Sequence, residues 1–249
     1  MIYLWNTLLY KPLLNLLVFL VSVIPGGDLG IALILLTILV RIILFPLSKK
    51  SIESQVKLKN LEPEINKIKE LYPTKEEQAK KTFELYKQYK VNPFSGCLLI
   101  LLQLPIIFAL YHVFFKGLSF SSDVLYSFIQ VPAVYNTHFL GLIDMSAKSI
   151  VLALLAGITQ YIQISLTLPK KSPESNGPKS FKDDLMKSMN FQMKYLLPVF
   201  IAFVAYQISA AIALYWVTSN VITIIQEIVV RKRLKAAGSI LEVAAVVKQ

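Results

Sequence analysis

The chain has 249 residues, of which 55% are hydrophobic and 16% are charged, and its formal net charge is +11 at pH 7. Soluble domains carry about 25% charged residues, so this composition argues against a soluble protein and favours a membrane protein. The single cysteine, Cys97, excludes an internal disulfide. The sequence has two histidines and neither the zinc-protease nor the serine-hydrolase motif, which argues against an enzyme. No catalytic residue, metal or cofactor is expected.

The N-terminal segment, residues 1–27, contains a short apolar run from Leu13 to Ile24. That run is shorter than the roughly 20 residues that a membrane-spanning helix needs. Tyr3 and Trp5 are residue types that prefer the membrane–water interface. The segment is therefore predicted to be an amphipathic helix lying at the membrane surface, and a span from Ile2 to Ile24 is the competing prediction.

A clear apolar run, LGIALILLTILVRIILFPL, extends from Leu29 to Leu47 and is predicted to be the first span. Arg41 lies inside it, roughly 12 Å from Lys49 by helical rise. An arginine at membrane depth costs at least about 2.5 kcal/mol and normally faces protein or water. Snorkelling of Arg41 to the headgroups is the alternative. We favour a polar cavity with Arg41 in its wall.

The segment from Ser48 to Asn92 has a different composition, with 11 lysines and 7 acidic residues. Pro73 interrupts it, and Thr74 with Glu77 forms a capping-box pattern at the start of the second half. The pattern predicts an antiparallel helical hairpin with lysines outside. The residues expected to pack between its halves recur at helical spacing: Leu61, Ile65, Ile68, Phe83 and Tyr86.

Four further spans are predicted at about residues 94–115, 149–168, 191–206 and 210–230. Gln103, Gln160 and Gln163 are polar residues inside them. The apolar stretch from Phe191 to Val230 has 40 residues and would form a single helix of roughly 60 Å, about twice the thickness of the hydrocarbon core. It must therefore fold back, and Gln207-Ile208-Ser209 is the plausible break. The predicted fold is an all-α polytopic membrane protein: a five-helix core within residues 28–230, an N-terminal interfacial helix, a cytoplasmic helical hairpin and a basic tail at 231–249.

The basic residues predict the orientation of these spans. The hairpin, the Pro169 to Met189 loop and the segment from Arg231 onwards together hold 21 of the 26 lysines and arginines. With five spans, all three segments lie on one side of the membrane. Cytoplasmic loops are enriched in Lys and Arg, so the N-terminus is predicted outside and the C-terminus in the cytoplasm. Orientation explains the basic excess, and no specific nucleic acid partner is expected.

Several stretches in order carry a family resemblance. They are LVR before FPL around Arg41, NPFSGCLLILLQLPIIFALY at 92–111, FLGLIDMSAK at 139–148, YIQ at 161–163 and LYWVTSN at 214–220. Together they make the chain resemble the YidC/Oxa/Alb3 membrane protein insertases along nearly its whole length. It resembles a minimal bacterial form, without a large extracytoplasmic domain. Where relatives often have Pro-Ala-Gly before the LYW motif, this chain has Ser-Ala-Ala-Ile from Ser209.

The resemblance implies a water-filled groove that is open to the cytoplasm and to lipid and closed on the outside. It would carry hydrophilic segments of nascent membrane proteins into or across the bacterial cytoplasmic membrane. The residues that the resemblance and the polar pattern assign to this groove are Arg41, Gln103, Gln160, Gln163, Trp216 and Asn220. Implied partners are nascent membrane proteins and the lipid bilayer, with the ribosome and the Sec translocon as further candidates. The alternative function is a small-solute or ion transporter or channel that uses Arg41 as a fixed intramembrane charge.

Overall fold

A computed structural model describes residues 5–92, 95–115, 124–130, 132, 135–168 and 188–246. This part of the chain contains nine longer helices and a small β-hairpin. The helices are α1 (Asn6–Val23), α2 (Leu29–Ile43), α3 (Phe45–Asn60), α4 (Glu62–Leu71), α5 (Lys75–Gln88), α6 (Ser95–Phe115), α7 (Ile150–Thr167), α8 (Ser188–Ile208) and α9 (Ala210–Val246). The strands β1 (His138–Phe139) and β2 (Ile143–Asp144) pair antiparallel.

The helical membrane architecture is confirmed. Within the described ranges, α1, α7, α8 and α9 as far as Ala236 are long and apolar enough to cross a membrane, and α2 with α3 passes the same test as one broken span. The predicted break is also present, because Ser209 has an extended backbone between α8 and α9. Most of the predicted loop at 169–189 lies outside the described residues, and its last two residues begin α8.

The helix predicted for the first span is interrupted. We predicted one helix from Leu29 to Leu47, but α2 ends at Ile43 and a new helix begins at Phe45. Pro46 accounts for the break, since it has no N–H for the carbonyl one turn earlier and its ring clashes with that carbonyl. Arg41 therefore lies in the last turn of α2. A cation is favourable there because the C-terminal end of a helix carries partial negative charge.

The chain divides into two compact units. The first contains Met1–Leu44, Leu102–Leu168 and Lys179–Ile224, and the second contains Phe45–Leu101, Pro169–Pro178 and Ile225–Gln249. The apolar core of the first unit is formed by one face each of α1, α2, α6, α7, α8 and the start of α9. The 231–249 segment that we predicted as a separate tail continues α9 in helical form to Val246.

The second unit contains the predicted hairpin, whose turn lies at the expected place. The Thr74 hydroxyl accepts the N–H of Glu77 at 3.3 Å and caps α5. The Tyr89 hydroxyl donates to the Glu64 carboxylate at 3.1 Å, which raises the pKa of Tyr89. Leu61 is buried.

One member of the predicted apolar stripe is misplaced. Ile65, Ile68 and Tyr86 are half-buried, as packing between the two halves requires. Phe83, however, is 55% exposed, with its ring 6.4 Å from that of Tyr86. Gln78 lies on the half-buried face of α5 instead, and its amide donates to the carbonyl of Tyr72 at 2.7 Å.

In the first unit, α1 is bound to the segment between α6 and α7. The Asn15 side chain, fully buried in α1, accepts the N–H of Tyr126 at 2.7 Å and donates to the carbonyl of Val124 at 3.2 Å. Closer to the beginning of α1, the Tyr10 ring lies edge-on to the His112 ring, with centroids 5.0 Å apart. The interfacial position of this helix stays a prediction.

The loop formed by residues 136–147 holds the beginning of α2. The Asp28 carboxylate accepts the N–H of Ile31 at 3.0 Å and caps the helix, while its second oxygen accepts the N–H of Leu140 at 2.7 Å. The N–H of Leu29 also donates to the carbonyl of Asn136 at 3.0 Å. One buried carboxylate thus joins the helix N-terminus to the loop.

The same loop also holds the beginning of α9. The N–H groups of Ala210 and Ala211 donate to the carbonyls of Ala147 and Met145, at 2.7 and 3.1 Å. These N–H groups have no acceptor within α9, since they belong to its first turn. The 136–147 loop therefore fixes the N-terminal ends of α2 and α9 with respect to each other.

Close packing of α7 on α8 depends on Gly157. A Cβ atom at this position would lie 2.9 Å from the Cβ of Ala202 and 3.1 Å from the carbonyl oxygen of Pro198. Small residues allow helix axes to approach closely, and dispersion contacts are a main source of helix association in membranes.

We expect Gly157→Val to force α7 and α8 apart and to lower the free energy of unfolding by about 1–3 kcal/mol, the usual cost of overpacking. Thermal unfolding in detergent micelles measures this. Ile158→Val is the control, because Ile158 is exposed and its substitution should be within about 0.5 kcal/mol of the parent. Equal effects of the two substitutions would contradict the close contact at Gly157.

Candidate functional site

Arg41 is the charged residue at the centre of the candidate site. It lies near the end of α2, where its side chain is half-buried. Its Nη2 donates to the Oε1 of Gln103 in α6 at 2.8 Å, and its Nε donates to the hydroxyl of Ser219 in α9 at 3.0 Å. The same Nη2 also contacts the Ser219 hydroxyl. Arg41 therefore joins three helices of the first unit.

The hydrogen bonds continue beyond the guanidinium. The Nε2 of Gln103 donates to the hydroxyl of Tyr215 at 2.6 Å. Tyr215 and Ser219 are four residues apart in α9, so they lie on the same face of that helix. Both are buried, at 3% and 1% exposure. The Gln103 amide thus bridges the arginine and the tyrosine, which fixes the direction of its own donor and acceptor.

A second polar cluster connects α7 and α9. The amide of Asn220 donates to the hydroxyl of Thr159 at 3.2 Å. One residue further along α7, the Nε2 of Gln160 donates to the Oε1 of Gln163 at 3.1 Å. Asn220 directly follows Ser219, so the two clusters meet α9 at the same level but about 100° apart around its axis.

The structure separates the predicted groove residues into two hydrogen-bonded pairs and two single residues. Arg41 and Gln103 are hydrogen-bonded to each other, and Gln160 is hydrogen-bonded to Gln163. Asn220 bonds to Thr159 instead. Trp216 is buried within the apolar core of the first unit.

Sequence analysis did not single out Tyr215, Ser219 and Thr159 for this site. A signal was present in LYWVTSN, where Tyr215 and Ser219 are spaced one helical turn apart in an apolar run. Buried hydroxyls normally need a hydrogen-bonding partner. That spacing could have pointed to a polar group reaching α9 from another helix.

The acceptors around Arg41 named above are neutral. The Gln103 amide and the Ser219 hydroxyl carry no charge, so these two contacts satisfy N–H groups of the guanidinium without neutralising it. Among the described residues, no group of three or more His, Cys, Asp or Glu side chains could hold a metal ion. The arrangement can attract and orient charge, and it presents amides and hydroxyls to a polar segment.

Comparison with known proteins gives consistent matches. The family model for the 60Kd inner membrane protein matches residues 19–237. The chain is 34% identical over 211 residues to the membrane protein insertase YidC of Fusobacterium nucleatum, covering 83% of this chain and 88% of that protein. It is 32% identical over 209 residues to the membrane protein insertase YidC of Clostridium tetani, covering 84% of each.

A solved structure matches the fold. It is described as an active YidC insertase crystal structure with the first transmembrane domain resolved. The TM-score is 0.55 at 24% sequence identity, and the match covers 88% of this chain and 45% of that one.

Ser219→Ala should destabilise the protein because it removes an acceptor of the half-buried guanidinium. A lost hydrogen bond to a charged group costs about 1.5–3 kcal/mol. The matched control is Thr218→Val, since the Thr218 hydroxyl donates only to Leu214 of its own helix among the contacts seen, at 2.8 Å. Unfolding in mixed detergent micelles should show that Ser219→Ala lowers the free energy of unfolding at least about twice as much as Thr218→Val does. Equal losses would mean that the bond to Arg41 adds nothing.

Proposed function

Because the chain belongs to the YidC/Oxa/Alb3 family, we propose that it is a membrane protein insertase of the bacterial cytoplasmic membrane. It moves short hydrophilic segments of nascent membrane proteins into or across the bilayer. The observation that carries the proposal is Arg41, a cation held by neutral amide and hydroxyl groups of three helices.

Arg41 attracts acidic residues of the substrate. A unit charge 8 Å from another interacts by about 2 kcal/mol at an effective dielectric constant of about 20. The attraction is stronger inside a low-dielectric membrane than in bulk water. The guanidinium needs no new partner before the substrate arrives, since Gln103 and Ser219 already hold it in place.

The remaining polar residues provide a wall for the hydrophilic segment. Gln163 is half-buried in α7, and Asn220 continues the polar surface on α9. A groove lined in this way shortens the hydrocarbon path that a polar segment must cross. The apolar part of the substrate can meanwhile enter lipid directly, and no covalent chemistry is required.

The proposed topology places the N-terminus outside, the hairpin and C-terminus in the cytoplasm, and α1 flat on the outer surface. One chain connection and one contact support the position of α1. Val23 connects to the outer end of α2, and Tyr10 contacts His112, only three residues before the outer end of α6 at Phe115. Tyr10 and Val23 are roughly 20 Å apart along the helix axis. A helix with both ends at the outer level lies along the membrane rather than across it.

Proposed partners are nascent membrane proteins and the bilayer. The ribosome and the Sec translocon are further candidates, since an insertase must receive its substrate during or soon after synthesis. The lysine-rich hairpin would lie on the cytoplasmic side, where nascent chains emerge.

Reversing the charge of Arg41 tests the mechanism. Arg41→Glu should lower the insertion of substrates with acidic translocated segments at least about tenfold, because attraction becomes repulsion. Arg41→Lys should keep part of the activity, since it keeps the charge but loses the planar fork of donors. The measurement is protease protection of model substrates in proteoliposomes.

The matched control is Lys232→Glu, which makes the same charge change at an exposed position of α9. It should insert the same substrates at close to the parent rate. The comparison also includes substrates whose translocated segment is neutral, and Arg41→Glu should impair these less. Insertion of acidic substrates by Arg41→Glu at the parent rate would overturn the role of Arg41.

A further inference from the structure

A second cationic position lies on the exposed surface shared by α7 and α8. Lys194 of α8 has its Nζ 5.8 Å from the ring centroid of Tyr161 in α7 and 5.5 Å from that of Tyr195. The two rings are 5.9 Å apart, and Phe191 extends the aromatic surface at 5.0 Å from Tyr195. We call Lys194, Tyr161 and Tyr195 the tyrosine cage.

The surface around the cage is apolar. Exposed residues of α7 and α8 near it include Ile158, Ile162, Leu196 and Val199. Such a surface on two candidate membrane spans faces hydrocarbon. Tyr161 and Lys194 each lie six residues from the end of their helix on the same side, roughly 9 Å along the axis. From that depth a lysine side chain can extend towards the headgroups, where tyrosine is also enriched.

The ammonium group of Lys194 has donors to spare. An ammonium carries three N–H donors, and aromatic faces attract the charge but are weak acceptors. In the described part of the chain, Lys194 has no carboxylate within salt-bridge distance. The comparable lysine at the opposite end of the same helix pair differs, since Lys148 lies 5.6 Å from the ring centroid of Tyr206 and also donates to the Oε1 of Gln207 at 3.0 Å.

We propose that the tyrosine cage binds the phosphate group of an anionic phospholipid. The ammonium supplies the charge, and the tyrosine hydroxyls supply donors beside it. In the proposed topology the cage faces the cytoplasmic leaflet, which is rich in anionic lipid. The site is separate from Arg41, and its occupancy does not depend on insertion activity.

The test counts lipids bound to the full-length protein. The protein is purified in micelles that contain equal amounts of phosphatidylglycerol and phosphatidylcholine, and native mass spectrometry measures the retained lipids. The parent should retain phosphatidylglycerol over phosphatidylcholine by about fivefold, as one basic residue near anionic lipid supplies. Lys194→Gln should abolish the preference, and Lys194→Arg should keep it.

Matched controls separate the cage from general charge. Lys148→Gln removes a lysine that lies just before α7 and also contacts a tyrosine ring of α8. Lys80→Gln removes a lysine from the hairpin. Both variants should keep the parent ratio of phosphatidylglycerol to phosphatidylcholine. Tyr161→Leu keeps the charge and removes one ring, so it should lower the ratio by about half. It also tests the cage if Lys194→Gln does not fold.

Three results would overturn the proposal. One is that Lys194→Gln retains phosphatidylglycerol over phosphatidylcholine in the same ratio as the parent. Another is an equal loss in Lys148→Gln and Lys80→Gln, which would indicate non-specific charge. The third is displacement of the lipid by excess glycerol phosphate, which would indicate a site for soluble phosphate.

Discussion

The cost of placing a guanidinium among apolar helices governs the arrangement of the first unit. An unsolvated cation in hydrocarbon is too costly to persist, so Arg41 must be surrounded by acceptors, by water, or by both. The acceptors come from α6 and α9, since Gln103 and Ser219 hold the guanidinium. These two helices and α2 are far apart in sequence. The hydrogen bonds of one arginine therefore link three helices that are distant in sequence.

The helices α2 and α9 are also held together at their N-terminal ends. The 136–147 loop binds the N-termini of α2 and α9 through the Asp28 carboxylate and the carbonyls of Met145 and Ala147. Ser219 is nine residues from Ala210, roughly 14 Å along α9. The α2–α9 pair is thus joined at two levels, by the loop and by Arg41. The proposed groove, closed on the outside and open to the cytoplasm, would be compatible with these two connections.

Much of the fold could be predicted from the sequence because apolar runs and their breaks have simple physical causes. The spans, the turn at Ser209 and the cap at Thr74 follow from hydrophobic length, backbone continuity and hydrogen-bonding capacity. Two errors have equally simple causes. Pro46 ended a helix that composition alone would continue. The other error is at Phe83, which is exposed, whereas the half-buried face of α5 carries Gln78 with its hydrogen bond to the carbonyl of Tyr72.

The site was only partly predictable. Arg41 and Gln103 stand out because they are costly in an apolar run, and cost can be read from one sequence. The hydroxyls of Ser219 and Tyr215 cost less free energy inside a membrane than a charge does, so they do not stand out in the sequence. They belong to the site because they bond to Arg41 and Gln103. The family resemblance indicated which spans approach each other, but it did not indicate which side chains would bond. Asn220 illustrates this, since its partner Thr159 lies 61 residues away.

The proposed function requires a hydrated groove along the polar face of α7. Gln163 and Ile158 test it on one helix, since they lie about 140° apart around its axis. Single cysteines at these positions, in a Cys97→Ser background, are exposed to a charged thiol reagent from the cytoplasmic side. Gln163→Cys should react at least about tenfold faster than Ile158→Cys, because water reaches the groove while lipid excludes the reagent from Ile158. Ile158 is 55% exposed on the protein surface, so only lipid can protect it. Equal rates, or an unreactive Gln163→Cys, would contradict the account.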